Sequence, residues 1–110
     1  MDKKREPRLV SLLEQELSKL IAREIDIPTG TIVSVSGVEL SSDNRSAKVG
    51  IGVYPSENAD NIIEDLKKHS GSLHYKLIRI LDIRRVPELN FYLDHGVEHA
   101  AKVEKALMDE

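Results

Sequence analysis

A chain of 110 residues has the size of one compact domain with an ordinary hydrophobic core, which excludes a division of labour between modules. It holds no cysteine, so disulfides, thiolate metal ligands and thiol catalysis are excluded. The 16 Lys and Arg against 19 Asp and Glu leave a net charge of −3, which as a total argues against a partner as acidic as nucleic acid.

Residues 1–7, which include Lys3, Lys4 and Arg5, are expected to be flexible. The chain beyond them has neither a signal-peptide core nor a membrane span, which points to the cytoplasm. Leu9, Leu13, Leu17, Leu20 and Ile21 recur at helical spacing and, with Pro7 suited to a helix start, predict a one-sided helix from Leu9 to Ile25. Between Asp26 and Gly30 stand a Pro that a helix cannot absorb and a Gly suited to positive φ, so the chain turns. Thr31 to Leu40 reads as a strand in which Val38 and Leu40 are one step out of phase with Val33 and Val35; a bulge near Ser36 and Gly37 restores the register. After a polar turn from Ser41 to Ser46, Ala47, Val49, Ile51 and Val53 alternate with Lys48, Gly50, Gly52 and Tyr54, giving a second strand and a hairpin.

Pro55 to Asn58 ends that strand. Ile62, Ile63 and Leu66 mark a short helix that runs out near Ser70 and Gly71; Leu73, Leu77, Ile80 and Leu81 mark another, and Gly71 predicts the kink between them. After Pro87, Leu89, Phe91 and Leu93 alternate with Asn90 and Tyr92 as a third strand, and Val97, Ala100, Val103 and Leu107 predict a last helix. The order α-β-β-α-α-β-α uses two helices as a crossover, which places the second and third strands parallel, with a right-handed connection, beside the antiparallel hairpin. The expected architecture is a single α+β domain over residues 1–110, a three-stranded mixed sheet covered by helices on one face.

His95-Gly-Val-Glu98-His99 fits the H-x-x-E-H pattern, in which two histidines one helical turn apart hold a metal and the glutamate acts on a bound water, as in a small metal hydrolase. The context is poor: His95 follows Asp94 at a cap position and no third acidic ligand is placed downstream. A surface helix is the better reading, nothing in their spacing recruits His69 or His74, and no metal or other cofactor is expected. Gly50-Ile-Gly52 lacks the third glycine of a dinucleotide loop and lies inside a strand. These glycines are expected to leave a smooth patch on the exposed sheet face, the surface a protein-binding α/β module would use.

Between Lys67 and Arg85, the six basic residues Lys67, Lys68, Lys76, Arg79, Arg84 and Arg85 stand against one acid, Asp82; this segment is net +5 and the remainder sums to −8. On the second middle helix Ser72, Lys76 and Arg79 fall along one side. A helix start beside Gly71 points backbone N–H groups outward between lysines and arginines, an arrangement suited to phosphate. The bland alternative is a solvated helix face. A DNA-reading helix-turn-helix would not serve as the crossover of a sheet, so RNA fits better than DNA. Three Tyr, one Phe and no Trp favour shaped or backbone-presented RNA over splayed bases.

Three stretches are specific beyond their chemistry: Val35-Ser-Gly-Val-Glu-Leu-Ser-Ser-Asp43 with Ala47-Lys-Val49; Ser70-Gly71; and Arg84-Arg-Val-Pro-Glu-Leu-Asn-Phe91 with Asp94. In these, and over nearly its whole length to about Val103, the chain resembles the ribosome-binding factor A family of bacterial small-subunit maturation factors. The resemblance implies a type II KH-like fold whose G-x-x-G loop is replaced by an Ala-x-Gly kink. It also implies a non-enzymatic factor that binds the immature 30S small ribosomal subunit and its rRNA and assists late maturation and rRNA processing, notably in the cold.

On this reading Ser70 and Gly71 form the kink, and Lys67, Lys68, Lys76, Arg79, Arg84 and Arg85 line the RNA-facing edge of a monomer. Lys3, Lys4, Arg5 and Arg8 are auxiliary contacts. Two positions depart from the family pattern. His69 stands where Ala is usual and falls on the apolar side of its helix, so its larger ring must either be partly buried or open the kink; a core-filling role is expected over that of a pH switch. His74 stands where an Arg would meet phosphate, which weakens that contact. The acidic remainder of the chain suppresses indiscriminate RNA binding.

Overall fold

Leu13, Leu17, Leu20 and Ile21 form the buried stripe of a helix, α1 (Glu6–Glu24), in a computed structural model that describes residues 6–83 and 85–96. Ile25 is still buried beyond its end, and the turn after it has Gly30 at φ 87°, the left-handed region expected of that glycine.

β1 (Ile32–Leu40) and β2 (Ser46–Tyr54) form the antiparallel hairpin. The register slips where expected: Val35 lies opposite Ile51 and Gly37 opposite Gly50, so Ser36 is the extra residue. That single insertion lets Val33, Val35, Val38 and Leu40 all pack against the core despite their phase change. The connecting loop is closed by the Asp43 carboxylate, which accepts from the Ser41 hydroxyl (2.7 Å) and the Arg45 amide (3.1 Å), with Asn44 at φ 58°.

A 3-10 turn (Ser56–Asn58) leads into α2 (Ala59–Lys68), followed by α3 (Ser70–Leu81) and β3 (Glu88–Leu93). β3 pairs with β2 in parallel, from Ser46 opposite Glu88 to Ile51 opposite Leu93, and the sheet order is β1-β2-β3. The crossover therefore does what its length required. The helices cover the sheet face that carries Ala47, Val49, Ile51, Val53, Leu89 and Phe91, and Ile62, Leu66, Leu73 and Leu77 complete the core with α1. The α+β architecture is as expected. The helix predicted around Val97 to Leu107 lies outside the described residues. Among the described residues no helix is long and apolar enough to cross a membrane.

The break between α2 and α3 differs in detail from the expectation. It falls at His69 (φ −95°, ψ 4°), and Gly71 is the second residue of α3. Those angles lie in the bridge region, open to any residue, so no glycine is needed at the break itself. His69 does not fill the core: the break turns it out to solvent, where its Nδ1 lies 2.8 Å from the Asp65 carbonyl oxygen. Ile80, expected on the apolar side of α3, is 44% exposed, because Leu81 is the residue of that last turn that packs on the core.

Candidate nucleic-acid interface

Lys67 and Lys68 occupy the last turn of α2, both exposed, where the helix dipole favours cations. Ser70 donates from Oγ to the Lys67 carbonyl at 3.0 Å, so its hydroxyl closes the end of α2. His69 makes no side-chain cap to the first turn of α3. Beside this junction runs a cleft of about 350 Å³ between Ser70, Gly71 and His74 on the helical side and Glu88 and Leu89 of β3. A neighbouring cleft of about 370 Å³ shares Ser70 and β3 and adds Lys67, Asn90 and Phe91. β3 is an edge strand. Its Glu88 and Asp94 amides bond to the Arg45 and Ile51 carbonyls, so by alternation the backbone groups of Leu89 and Phe91 point away from β2, beside the clefts.

His74 is half-buried and its Nε2 lies 2.7 Å from the Val86 carbonyl oxygen. A carbonyl only accepts, so Nε2 carries the proton there. The residue at the position where the family resemblance implies a phosphate-binding Arg instead fastens the approach to β3 onto α3.

Lys76 sits on the flank of α3 that faces α1, and its ammonium is ion-paired with Glu24, which Arg23 also approaches at 3.5 Å. The Lys76 hydrogen bond is the largest of the effects holding the Glu24 carboxyl below its ordinary range. Part of the positive charge expected at the interface is therefore cancelled by a residue 52 positions away in the chain. Arg79, one turn on, is exposed; its Nη1 donates to the Tyr75 hydroxyl at 3.2 Å and its guanidinium carbon lies 5.9 Å from the centre of that ring. Tyr75 is absent from the set predicted from sequence because aromatic scarcity hides it. The available signal is its spacing of four from Arg79 inside the basic segment.

Arg85 is exposed just before β3. Arg8 is exposed near the start of α1, about 24 Å along the helix from Glu24 at 1.5 Å per residue. Lys3, Lys4, Arg5 and Arg84 lie outside the described residues. The structure thus gathers Lys67, Lys68, Ser70 and Gly71 at the junction, places Arg79 two turns along α3, and engages Lys76 elsewhere.

Two competing sites fare differently from their sequence appearance. His95 is exposed, while Glu98 and His99 of the H-x-x-E-H pattern lie outside the described residues; among the described residues no three His, Asp or Glu side chains are grouped to hold a metal ion. Gly50 and Gly52 do not form a smooth exposed patch: both are buried, and Gly50 lies beneath Ser36 Oγ and the Tyr92 hydroxyl. The bulge tips Ser36 over β2, and its hydroxyl donates to Asp94 Oδ2 at 2.7 Å. This bond and the Gly96 amide hold the Asp94 carboxyl below the usual carboxylate range.

A crystal structure of ribosome-binding factor A from Thermus thermophilus superimposes with a TM-score of 0.68 at 24% identity, covering 79% of this chain and 93% of that one. A homology model of the Thermus thermophilus factor, fitted into a cryo-EM map of a 30S complex, gives a TM-score of 0.66 at 24% identity, over 78% of this chain and 91% of that one. In sequence, ribosome-binding factor A of Caldanaerobacter subterraneus subsp. tengcongensis is 36% identical over 107 residues, 96% of this chain and 88% of the relative. The family model for ribosome-binding factor A matches residues 5–107. With the family model matched over residues 5–107 and a relative 36% identical over 96% of the chain, the protein belongs to the ribosome-binding factor A family.

Proposed function

We propose that the protein is a ribosome assembly factor that binds the immature small subunit and its rRNA and stabilises one conformation of the maturing RNA, making and breaking no bond. The observation that carries this reading is the α2–α3 junction. Exposed Lys67 and Lys68 stand at a helix C-terminus beside two clefts bounded by the open edge of β3, in a chain whose total charge is negative. Cations concentrated at one shaped edge favour phosphate there and disfavour it elsewhere. Family membership and the 30S complex described for the Thermus thermophilus factor support the same partner.

In this reading the junction takes the place of a G-x-x-G loop in a KH-like domain that acts as a cytoplasmic monomer. Lys67, Lys68, Ser70, Gly71, Arg79, Arg84 and Arg85 form the docking edge. Lys3, Lys4, Arg5 and Arg8 add outlying contacts, and Lys76 adds its charge only when Glu24 releases it. The experiment is co-sedimentation with immature small subunits over a range of salt. The wild-type protein should associate with a steep loss of affinity as salt rises, because phosphate contacts release counterions. A Lys67→Glu, Lys68→Glu variant should fail to associate. Unchanged association of that variant would remove the junction from the interface.

A further inference from the structure

We propose that Tyr75 is a stacking platform for an unpaired RNA base, with Arg79 beside it for the adjoining phosphate. This site rests on the RNA-binding reading and narrows it, because it requires at least one base out of its helix. Helical geometry isolates the residue. Leu73 and Leu77 are fully buried, His74 and Lys76 flank them toward β3 and α1, and Tyr75 points away from the core and is 59% exposed.

The ring is also held ready. Arg79 restrains it from the following turn through the hydroxyl and the ring face, while the guanidinium keeps its charge. Side chains on a helix lean toward its N-terminus, so the Tyr75 ring lies over the turn that begins at Gly71. A Cβ at Gly71 would find no atom within 4 Å, and Gly71 also lines the cleft beside β3. Tyr75 thus stands one helical turn beyond Gly71, on the helix that begins at the junction with Lys67 and Lys68. From Ser70 to Leu81 there is no acidic residue. An exposed ring with an arginine beside it, on a helix that carries no acid and begins at the Lys67–Lys68 junction, matches a nucleotide, which brings a phosphate and an aromatic face together; a protein segment would need acidic side chains to match the same cations.

The chain has no tryptophan, so Tyr75→Trp introduces a single fluorophore at the site. Titrating that variant with deproteinised small-subunit rRNA should quench its emission in step with binding followed independently by filter retention. Binding without quenching would overturn the proposal. In co-sedimentation with small subunits, Tyr75→Ala and Tyr75→Leu should each lose about tenfold or more in affinity, and Tyr75→Phe should stay within a few-fold of wild type. If Tyr75→Leu binds like wild type, the contact is apolar docking on a ribosomal protein and the stacking site is wrong. If wild-type protein binds neither rRNA nor subunits, the RNA-binding reading itself fails. If it binds and Tyr75→Ala changes nothing, only the stacking site fails.

Discussion

Ser36 and Asp94, 58 residues apart, are joined by a 2.7 Å hydrogen bond that spans the sheet from the bulge of β1 to the end of β3, passing over β2 at Gly50. Asp94 also donates its amide to the Ile51 carbonyl at 2.7 Å and accepts the Gly96 amide on Oδ1 at 2.9 Å. Asp94 thus ties the bulge of β1 to the end of β3 and holds the following chain through its carboxylate, and it bonds the central strand through its amide. The bulge and the glycine are two halves of the same device: the bulge lifts Ser36 over β2, and the missing Cβ lets it cross.

Gly50→Ala should disrupt that crossing. A Cβ there would stand 2.5 Å from Ser36 Oγ and 2.9 Å from the Tyr92 hydroxyl, so both side chains must move and the Ser36–Asp94 bond opens. Urea denaturation should register a loss of about 1–3 kcal/mol, the usual range for overpacking. Gly37→Ala, where nothing lies within 4 Å, is the control and should stay within about 0.5 kcal/mol of wild type. Equal effects at the two glycines would refute the crossing as the reason for Gly50.

Asp94 makes stability depend on acid. Its carboxyl is held below its ordinary value, chiefly by the Ser36 hydroxyl and then by the Gly96 amide. A carboxyl depressed in the folded state stabilises the fold fully above its unfolded pKa, about 3.9, and loses that contribution as the pH falls through the folded value. Urea midpoints measured from pH 6 down to pH 2 should fall more steeply below about pH 4 for wild type than for Asp94→Asn. Ser36→Ala should lie between them. Glu24 and Asp43 are depressed in the same direction, so the informative quantity is the difference between the curves.

Glu24 and Lys76 give a prediction of opposite sense to ordinary charge removal. Glu24→Gln leaves Lys76 without its carboxylate partner and should tighten small-subunit binding, adding up to about one to the slope of log affinity against log salt. Lys76→Gln should weaken binding less than Lys68→Gln does. Equal losses at the two lysines would show that Lys76 already meets phosphate.

His74→Ala should act on stability. It removes the Nε2 donor and leaves the carbonyl of the buried Val86 unpaired, which costs about 1–3 kcal/mol. Thermal unfolding should register that loss, and His74→Gln, which keeps a side-chain donor, should recover part of it.

Much of the fold is legible in local pattern. The one-step phase change between Val35 and Val38 announces the bulge, the crossover length implies the parallel pairing, and the Asp26 to Gly30 stretch marks the turn with its positive φ. Legibility ends where a contact joins distant residues. The smooth patch expected at Gly50 and Gly52 fails because Ser36 and Tyr92 arrive from the neighbouring strands to cover Gly50. His69 looks apolar-facing only if α2 is carried through it, and the chain breaks there instead.

The site divides along the same line. Sequence alone determined that the positive charge is concentrated between Lys67 and Arg85 and that two helices meet inside it, because charge density and helix breaking are properties of neighbouring residues. Only the tertiary structure decided which of those cations face solvent. Lys76 is directed at Glu24 by the packing of α3 on α1, His74 is directed at Val86 by the return of the chain to β3, and Tyr75 with Arg79 is left outermost. Helical periodicity assigns a side chain to a side of its helix, but the elements packed against that helix determine whether the side meets water, a carboxylate or a carbonyl.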